Sequence, residues 1–148
     1  MNKVVPAKEV DVGSCILCAF NLGETADEVV KNAGLLGFKF KLPIMLLCSY
    51  RLIQSKGNEE VQAIKKKYEN LAVEKLTNIN KAQPTIKQSF RAEIGFLSDR
   101  IESYIKAEKK VKYLVIGNET VSSIYEQKGL SLKEFIDRIG VPVVVVPE

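Results

Sequence analysis

Two near-continuous apolar runs in the last third of the sequence constrain the fold more than any other feature. The first, residues 113–116, ends at Gly117, and the second, residues 143–146, consists of four valines between two prolines. The stretch between these runs is predicted to contain one helix. Apolar runs joined by a crossover helix are typical of a βαβ unit in a parallel sheet that is buried on both faces. The loop after the first strand of such a unit lies where ligands bind.

The rest of the sequence continues the alternation of strand and helix. Strand patterns occupy residues 14–20, 42–50, 84–90, 111–116 and 143–146. Helical spacing predicts four helices, of which the first ends at Gly37. The inner faces of the other three are predicted to carry Val61, Ile64, Tyr68, Leu71, Leu76 and Ile79, then Ile94, Leu97, Ile101 and Ile105, then Leu132, Phe135, Ile136 and Ile139. The strict alternation predicts a doubly wound α/β fold, a five-stranded parallel sheet with helices on both faces.

The composition fits one domain. The chain has 148 residues, of which 46% are hydrophobic and 27% charged, and a chain of this length buries a substantial core. Residues 1–13 are predicted to be a polar N-terminal lead-in, and residues 14–148 a single domain.

Charge and hydropathy limit the classes of partner. The net charge of +4 arises from 22 basic and 18 acidic residues scattered along the chain, which is mild for a protein that binds nucleic acid. The N-terminus lacks the pattern of a signal peptide, and no apolar run reaches the roughly 18 residues of a membrane span. The sequence therefore predicts a cytoplasmic protein that binds neither membrane nor nucleic acid.

The residues with the most reactive side chains argue against ordinary enzyme chemistry. Cys15 and Cys18 form a C-x-x-C inside a strand pattern, where residues three apart point to opposite faces of the sheet. We therefore assign both thiols to core packing, and Cys48 is also expected to be reduced. Histidine is absent, which removes the usual zinc ligand and the commonest general base. No catalytic residue and no metal site are predicted, and the sequence favours a protein that is not an enzyme.

From about residue 14 to residue 147 the chain resembles the universal stress protein family. The resemblance rests on the strand at residues 16–21 before a helix with Leu35-Leu36-Gly37, on the strand at residues 113–117, and on the closing segment at residues 140–147. It implies the universal stress protein or adenine nucleotide alpha hydrolase-like strand order 3-2-1-4-5. The topological switch would then lie between the first and fourth strands.

The resemblance also implies where a nucleotide would bind. ATP-binding members of the family use an aspartate after the first strand, backbone groups of the second strand, and a loop after the fourth strand. That loop has the pattern Gly-x-x-Gly, nine residues, then Gly-Ser or Gly-Thr. In this sequence the candidate cleft residues at the corresponding positions are Asn21, Ser49, Gly117, Asn118, Thr120 and Gly129.

This chain departs from the ATP-binding pattern at nearly every position. Asn21 stands where the aspartate would be, and Thr120 stands at the second glycine. Either Leu130 or Gly129 takes the third glycine position, depending on the register, and neither register restores the motif. The interior of the loop, residues 118–126, has no glycine and carries two carboxylates, which would repel a triphosphate.

The resemblance therefore implies a binding or regulatory module of stress adaptation that does not bind ATP by the family mode, with no cofactor expected. The alternative is a member that binds ATP or AMP, or slowly hydrolyses ATP with Mg²⁺, through Asn21 and the Gly117 loop. A third hypothesis, a flavin-binding electron-transfer flavoprotein, has no specific support in the sequence. Some of these residues also have purely structural interpretations: Asn21 as a turn residue, and Ser131 with Glu134 as a capping box for the last helix.

The apolar sequence of the last predicted strand favours a homodimer. In the implied order the fifth strand is a sheet edge, and an exposed apolar edge favours aggregation unless it is covered. In universal stress proteins the last strands of two copies commonly pair across a two-fold axis. The predicted seam consists of Val143, Val144, Val145 and Val146, bounded by Pro142 and Pro147. The sequence also leaves open a further protein partner, which it does not identify.

Overall fold

The computed structural model describes residues 13–51, 58–82, 88–108 and 110–147. The strands are β1 Cys15–Asn21, β2 Ile44–Tyr50, β3 Gln88–Ile94, β4 Val111–Gly117 and β5 Val143–Val146; the helices are α1 Asp27–Phe40, α2 Asn58–Ala82, α3 Leu97–Glu108, α4 Asn118–Lys128 and α5 Leu132–Ile139. All strands pair in parallel in the order β3-β2-β1-β4-β5. This confirms the doubly wound fold and the strand order 3-2-1-4-5. Residues 1–12 of the predicted lead-in lie outside the described residues.

The sheet is buried on both faces, as its apolar runs predict. On one face, side chains such as Ile16 and Phe20 pack against α1 and α2, and on the other, Leu17 and Leu114 pack against α3, α4 and α5. All four are fully buried. Burial of each such side chain stabilises the fold by roughly 1.5–3 kcal/mol. Because helices pack on both faces of the sheet, the ends of its strands are held in place.

The first helix does not end at Gly37, so that prediction is wrong. α1 continues to Phe40, and its C-cap is Lys41 in the left-handed conformation, with φ 58°. Gly37 instead allows the helix to pack closely on the next segment, because a Cβ atom there would lie 2.8 Å from the Leu42 carbonyl oxygen. The Leu42 N–H donates to the Gly37 carbonyl at 2.9 Å.

The third strand lies further along the chain than predicted. β3 spans Gln88–Ile94 rather than residues 84–90, and residues 84–87 are outside the described residues. Ile94, which the spacing placed on the third helix, is the last residue of this strand. Gly95 then turns the chain at φ 128°, and α3 begins at Leu97.

One residue of the predicted inner face of α2 is on the opposite side. Leu71 is 42% exposed, whereas Ala72, Leu76 and Ile79 are buried against the sheet. Leu71 therefore lies on the outer face of α2, and Ala72 takes the buried position next to it.

Two helices, not one, connect β4 with β5. α4 begins directly after Gly117, and α5 follows a short turn at residues 129–131. The described residues therefore contain five helices where the sequence predicted four. The Ser131–Glu134 capping box is confirmed at the start of α5, with Ser131 Oγ accepting from the Glu134 N–H at 3.1 Å. Among the helices in the described part of the chain, none has the length and apolarity needed to cross a membrane.

Candidate functional site

A polar cleft lies at the topological switch of the sheet. β1 pairs with β2 on one side and with β4 on the other, so the segments after Asn21 and Gly117 diverge from neighbouring strand ends. The cleft has a volume of about 370 Å³. Its lining consists of three carboxylates and four amide or hydroxyl side chains: Glu24, Glu119, Glu126, Asn21, Asn118, Ser122 and Ser123.

Glu24 is the most enclosed acidic group in this cleft. It belongs to a turn closed by a hydrogen bond from its own N–H to the Asn21 carbonyl, at 3.0 Å. Its carboxylate folds back and accepts from the Asn21 N–H at 3.1 Å and from the Asn21 side-chain amide. Only 7% of the residue is exposed. A buried carboxylate needs such donors, because an unpaired buried charge is strongly destabilising.

Thr120 connects the Glu24 turn to α4. Its hydroxyl lies 2.7 and 2.9 Å from the two oxygens of the Glu24 carboxylate. A second contact joins the same segments, because the Thr25 N–H donates to the Glu119 carboxylate at 3.2 Å. The side chain of Asn21 also reaches Ser123 Oγ at 3.4 Å. The turn after β1 is therefore fastened to the first two turns of the helix after β4.

Lys75 of α2 holds the other side of the turn. Its ammonium group donates to the Leu22 carbonyl at 2.9 Å and to the Glu24 carbonyl, and lies 5.7 Å from the centre of the Phe20 ring. The lysine thus donates to two backbone carbonyl groups in the segment that follows β1. Together with Thr120 it fixes the turn from two sides.

The predicted glycine loop after β4 is not a loop, so that expectation is wrong. Gly117 is the N-cap of α4, in the extended conformation with φ −99° and ψ 173°, and the helix begins at Asn118. Thr120 is fully buried, as is Ile124 one turn later, and these two residues attach α4 to the rest of the fold. Tyr125, at 63% exposure, points away from the core.

The structure brings some of the candidate cleft residues together and separates others. Asn21 and Asn118 line the cleft, and Thr120 touches it through Glu24. Gly117 lies at its edge as the helix N-cap. Gly129 caps the far end of α4 at φ 69°, about 16 Å along the axis of an 11-residue helix.

Ser49 is placed beside the cleft but is occupied by protein contacts. Its side chain is almost fully buried, and its hydroxyl donates to the Gly95 carbonyl. Its carbonyl accepts from the Leu22 N–H at 2.9 Å. The backbone and side-chain groups of Ser49 that would approach a base are therefore already hydrogen-bonded within the chain.

The sequence did not single out Glu24, Lys75, Ser122 or Ser123. Glu24 is the only acidic residue in the five-residue segment between β1 and α1, residues 22–26, and this was the available signal that it could contribute to the cleft. Lys75 lies on a long charged helix among many other lysines, and no local pattern distinguishes it.

The thiols next to the site are held in their protonated form. Burial raises the pKa of Cys48 to about 12, with the nearby Lys75 charge opposing and the Glu24 charge reinforcing that effect. Burial, assisted by Glu24, also raises the pKa of Cys18. All three cysteines are buried and free of disulfides, which agrees with core packing. Across the described ranges, no group of three or more His, Cys, Asp or Glu side chains could hold a metal ion.

Comparison with known proteins gives structural matches only. No protein-family model matches the sequence, and no curated protein matches it either. Universal stress protein UspA from Lactobacillus plantarum superposes with a TM-score of 0.65 at 11% identity, over 90% of this chain and 98% of that one.

Two further solved structures contain nucleotides. A universal stress protein in complex with cAMP matches with a TM-score of 0.57 at 17% identity, over 88% of this chain and 96% of the other. The universal stress protein from Archaeoglobus fulgidus in complex with dAMP matches with a TM-score of 0.58 at 16% identity, over 89% and 96%. The chain described here has a universal stress protein-like fold.

Proposed function

We propose that this chain is a cytoplasmic binding or regulatory module of the universal stress protein type, active in stress adaptation, whose cleft does not bind ATP through a phosphate loop. The observation that carries the proposal is the start of α4 immediately after Gly117. A phosphate loop surrounds its ligand with backbone N–H groups of glycine-rich, non-helical chain. Here the corresponding residues form helical turns, and their side chains line the cleft.

The charge of the cleft supports the same proposal. Glu119 and Glu126 are exposed on α4 and line the space that a triphosphate would enter. In a partly wet site each carboxylate would repel the phosphates by on the order of 1 kcal/mol. Asn21, at the end of β1, brings no charge that could help to hold Mg²⁺.

Binding of a nucleotide in another manner is the second candidate function. Structures similar in fold were solved in complex with cAMP and dAMP, which are smaller anions than ATP. The Asn118 amide and the Ser122 hydroxyl could donate hydrogen bonds to a base or accept them from ribose hydroxyls, and the carboxylates of the cleft could accept from ribose hydroxyls. The chemistry of such binding would rest on Asn21 and on the first turn of α4.

A melting-temperature titration with ATP and Mg²⁺ separates the two functions. A ligand at 100 times its dissociation constant stabilises a protein by about 2.7 kcal/mol, which for this size corresponds to a shift of roughly 5–10 °C. We expect no saturable shift with ATP. A saturable shift would refute the proposal, and a shift with AMP or cAMP alone would favour the second candidate.

We also propose that two copies pair through β5. This strand is a sheet edge, and three of its four valines, Val143, Val144 and Val145, are only partly buried in the single chain. Pairing of two such edges would satisfy backbone groups that otherwise face water. Sedimentation equilibrium at micromolar concentration should give twice the mass of the chain, and a monomer would contradict the pairing.

A further inference from the structure

The Glu24 carboxylate makes more contacts than its turn requires. The turn is already closed by the backbone hydrogen bond from the Glu24 N–H to the Asn21 carbonyl. The carboxylate nevertheless accepts from the Asn21 N–H, from the Asn21 side-chain amide and from the Thr120 hydroxyl. These donors come from two separate segments of the chain, and Thr120 is 96 residues from Glu24 in the sequence.

The position of these donors gives the contact a consequence for ligands. They lie at the carboxyl ends of β1 and β4, where a doubly wound fold receives its ligand. Thr120 is in the first turn of α4, a place where a helix favours negative charge. In this structure the negative group at that place is the carboxylate of Glu24.

The contact is also held against rearrangement. Lys75 donates to the Leu22 and Glu24 carbonyls from the opposite side of the turn, and Glu119 accepts from the Thr25 N–H. Movement of the turn backbone away from Thr120 would break these contacts to both α2 and α4.

From these contacts we infer that Glu24 is an autoinhibitory residue that keeps phosphate out of the cleft by occupying, with its own carboxylate, the donors of Asn21 and Thr120. The inference rests on the proposed function and names the residue that enforces it. An incoming phosphate would have to displace the carboxylate from its donors and would meet its charge. Removal of the carboxylate should therefore create affinity for small anions.

The test compares anion binding by Glu24→Gln, Glu24→Ala and the unmodified chain, with circular dichroism to verify folding. Pyrophosphate is the probe, and the melting temperature is followed at constant ionic strength. We expect the unmodified chain to show no saturable shift up to the highest pyrophosphate concentration used, and Glu24→Ala, which removes the charge and frees the donors, to reach half-saturation at least tenfold below that concentration. Glu24→Gln keeps an amide oxygen that can still accept from Asn21 and Thr120, so its gain should be smaller than that of Glu24→Ala. Variants that fold and bind no better than the unmodified chain would overturn the inference.

Glu126→Gln is the matched control, because it removes the same charge from the same cleft without freeing the Asn21 and Thr120 donors. We expect Glu126→Gln to show no saturable shift over the same concentration range, since the repulsion it removes is on the order of 1 kcal/mol, which is about a fivefold change in affinity. An equal gain in Glu126→Gln and Glu24→Ala would mean that net charge alone matters, and would also overturn the inference.

Two further outcomes complete the design. If neither Glu24 variant folds, an NMR titration of the unmodified chain decides: unchanged amide resonances of Asn21 and Thr120 with pyrophosphate support the contact, and saturable shifts refute it. Binding of ATP by the unmodified chain would refute the proposed function, whereas folded variants that gain nothing would refute only the role of Glu24.

Discussion

Replacement of Thr120 by valine should destabilise the fold through the loss of one hydroxyl group. Valine has nearly the same shape, so the packing of this fully buried residue is preserved. What is lost is the donor 2.7 Å from one oxygen of Glu24 and 2.9 Å from the other. A hydrogen bond to a charged group contributes about 1.5–3 kcal/mol, and the buried carboxylate would keep only the Asn21 donors.

We therefore expect Thr120→Val to lower the free energy of unfolding by about 2 kcal/mol. For a chain of this length that corresponds to a fall in melting temperature of roughly 4–8 °C. Urea denaturation followed by circular dichroism measures the change, with the slope m as a check that the denatured state is unaltered.

Ser122→Ala is the control, because Ser122 lines the same cleft on an exposed turn of α4. Its effect should stay within about 0.5 kcal/mol. The double variant Thr120→Val with Glu24→Gln should be destabilised by less than the sum of the two single changes, since both changes act on the Glu24–Thr120 contact. A Thr120→Val variant as stable as Ser122→Ala, or strict additivity in the double variant, would refute the reasoning.

Three other predictions concern the fold and the thiols. Gly37→Ala should cost about 1–3 kcal/mol in urea denaturation, because the new Cβ atom would lie 2.8 Å from the Leu42 carbonyl oxygen; Gly23→Ala, with no neighbour within 4 Å, should be nearly neutral. Lys41→Gly should stabilise by about 1 kcal/mol, since Lys41 has φ 58°; a loss of stability would contradict this. The thiol of Cys48, with its pKa raised to about 12, should react with a disulfide reagent at neutral pH only as fast as the protein opens.

The order of elements could largely be read from the sequence, and the places where it could not have physical reasons. Residues 118–128 contain only two buried side chains, Thr120 and Ile124, so the apolar pattern of a helix was nearly absent. Ile94, Leu97 and Ile101 have helical spacing, but Gly95 at φ 128° separates the first from the other two.

The end of α1 illustrates a different limit. A glycine near the end of a helical pattern usually marks the C-cap, yet the left-handed cap here is Lys41, and Gly37 serves close packing. Local rules could not distinguish these uses, because the decisive neighbour, Leu42, approaches only after the chain turns back toward β2.

The sequence predicted where the cleft lies, but not which side-chain contacts form in it. The switch between β1 and β4 followed from the implied strand order, and Asn21, Asn118 and Thr120 were among the predicted residues. The contact of Glu24 with Thr120 joins residues 96 positions apart, and the contact of Lys75 with the Leu22 carbonyl spans 53 positions. Such pairs depend on the tertiary fold, and no motif within either segment signals them.

The most direct measurement of the central claim is equilibrium dialysis of the unmodified chain against labelled ATP with Mg²⁺. If the helical start of α4 and the Glu24 contact deny the cleft to phosphate, bound ATP should rise only in proportion to free ATP, with no saturation up to about 1 mM. Saturable binding of one ATP per chain, lost on competition with pyrophosphate, would contradict the claim.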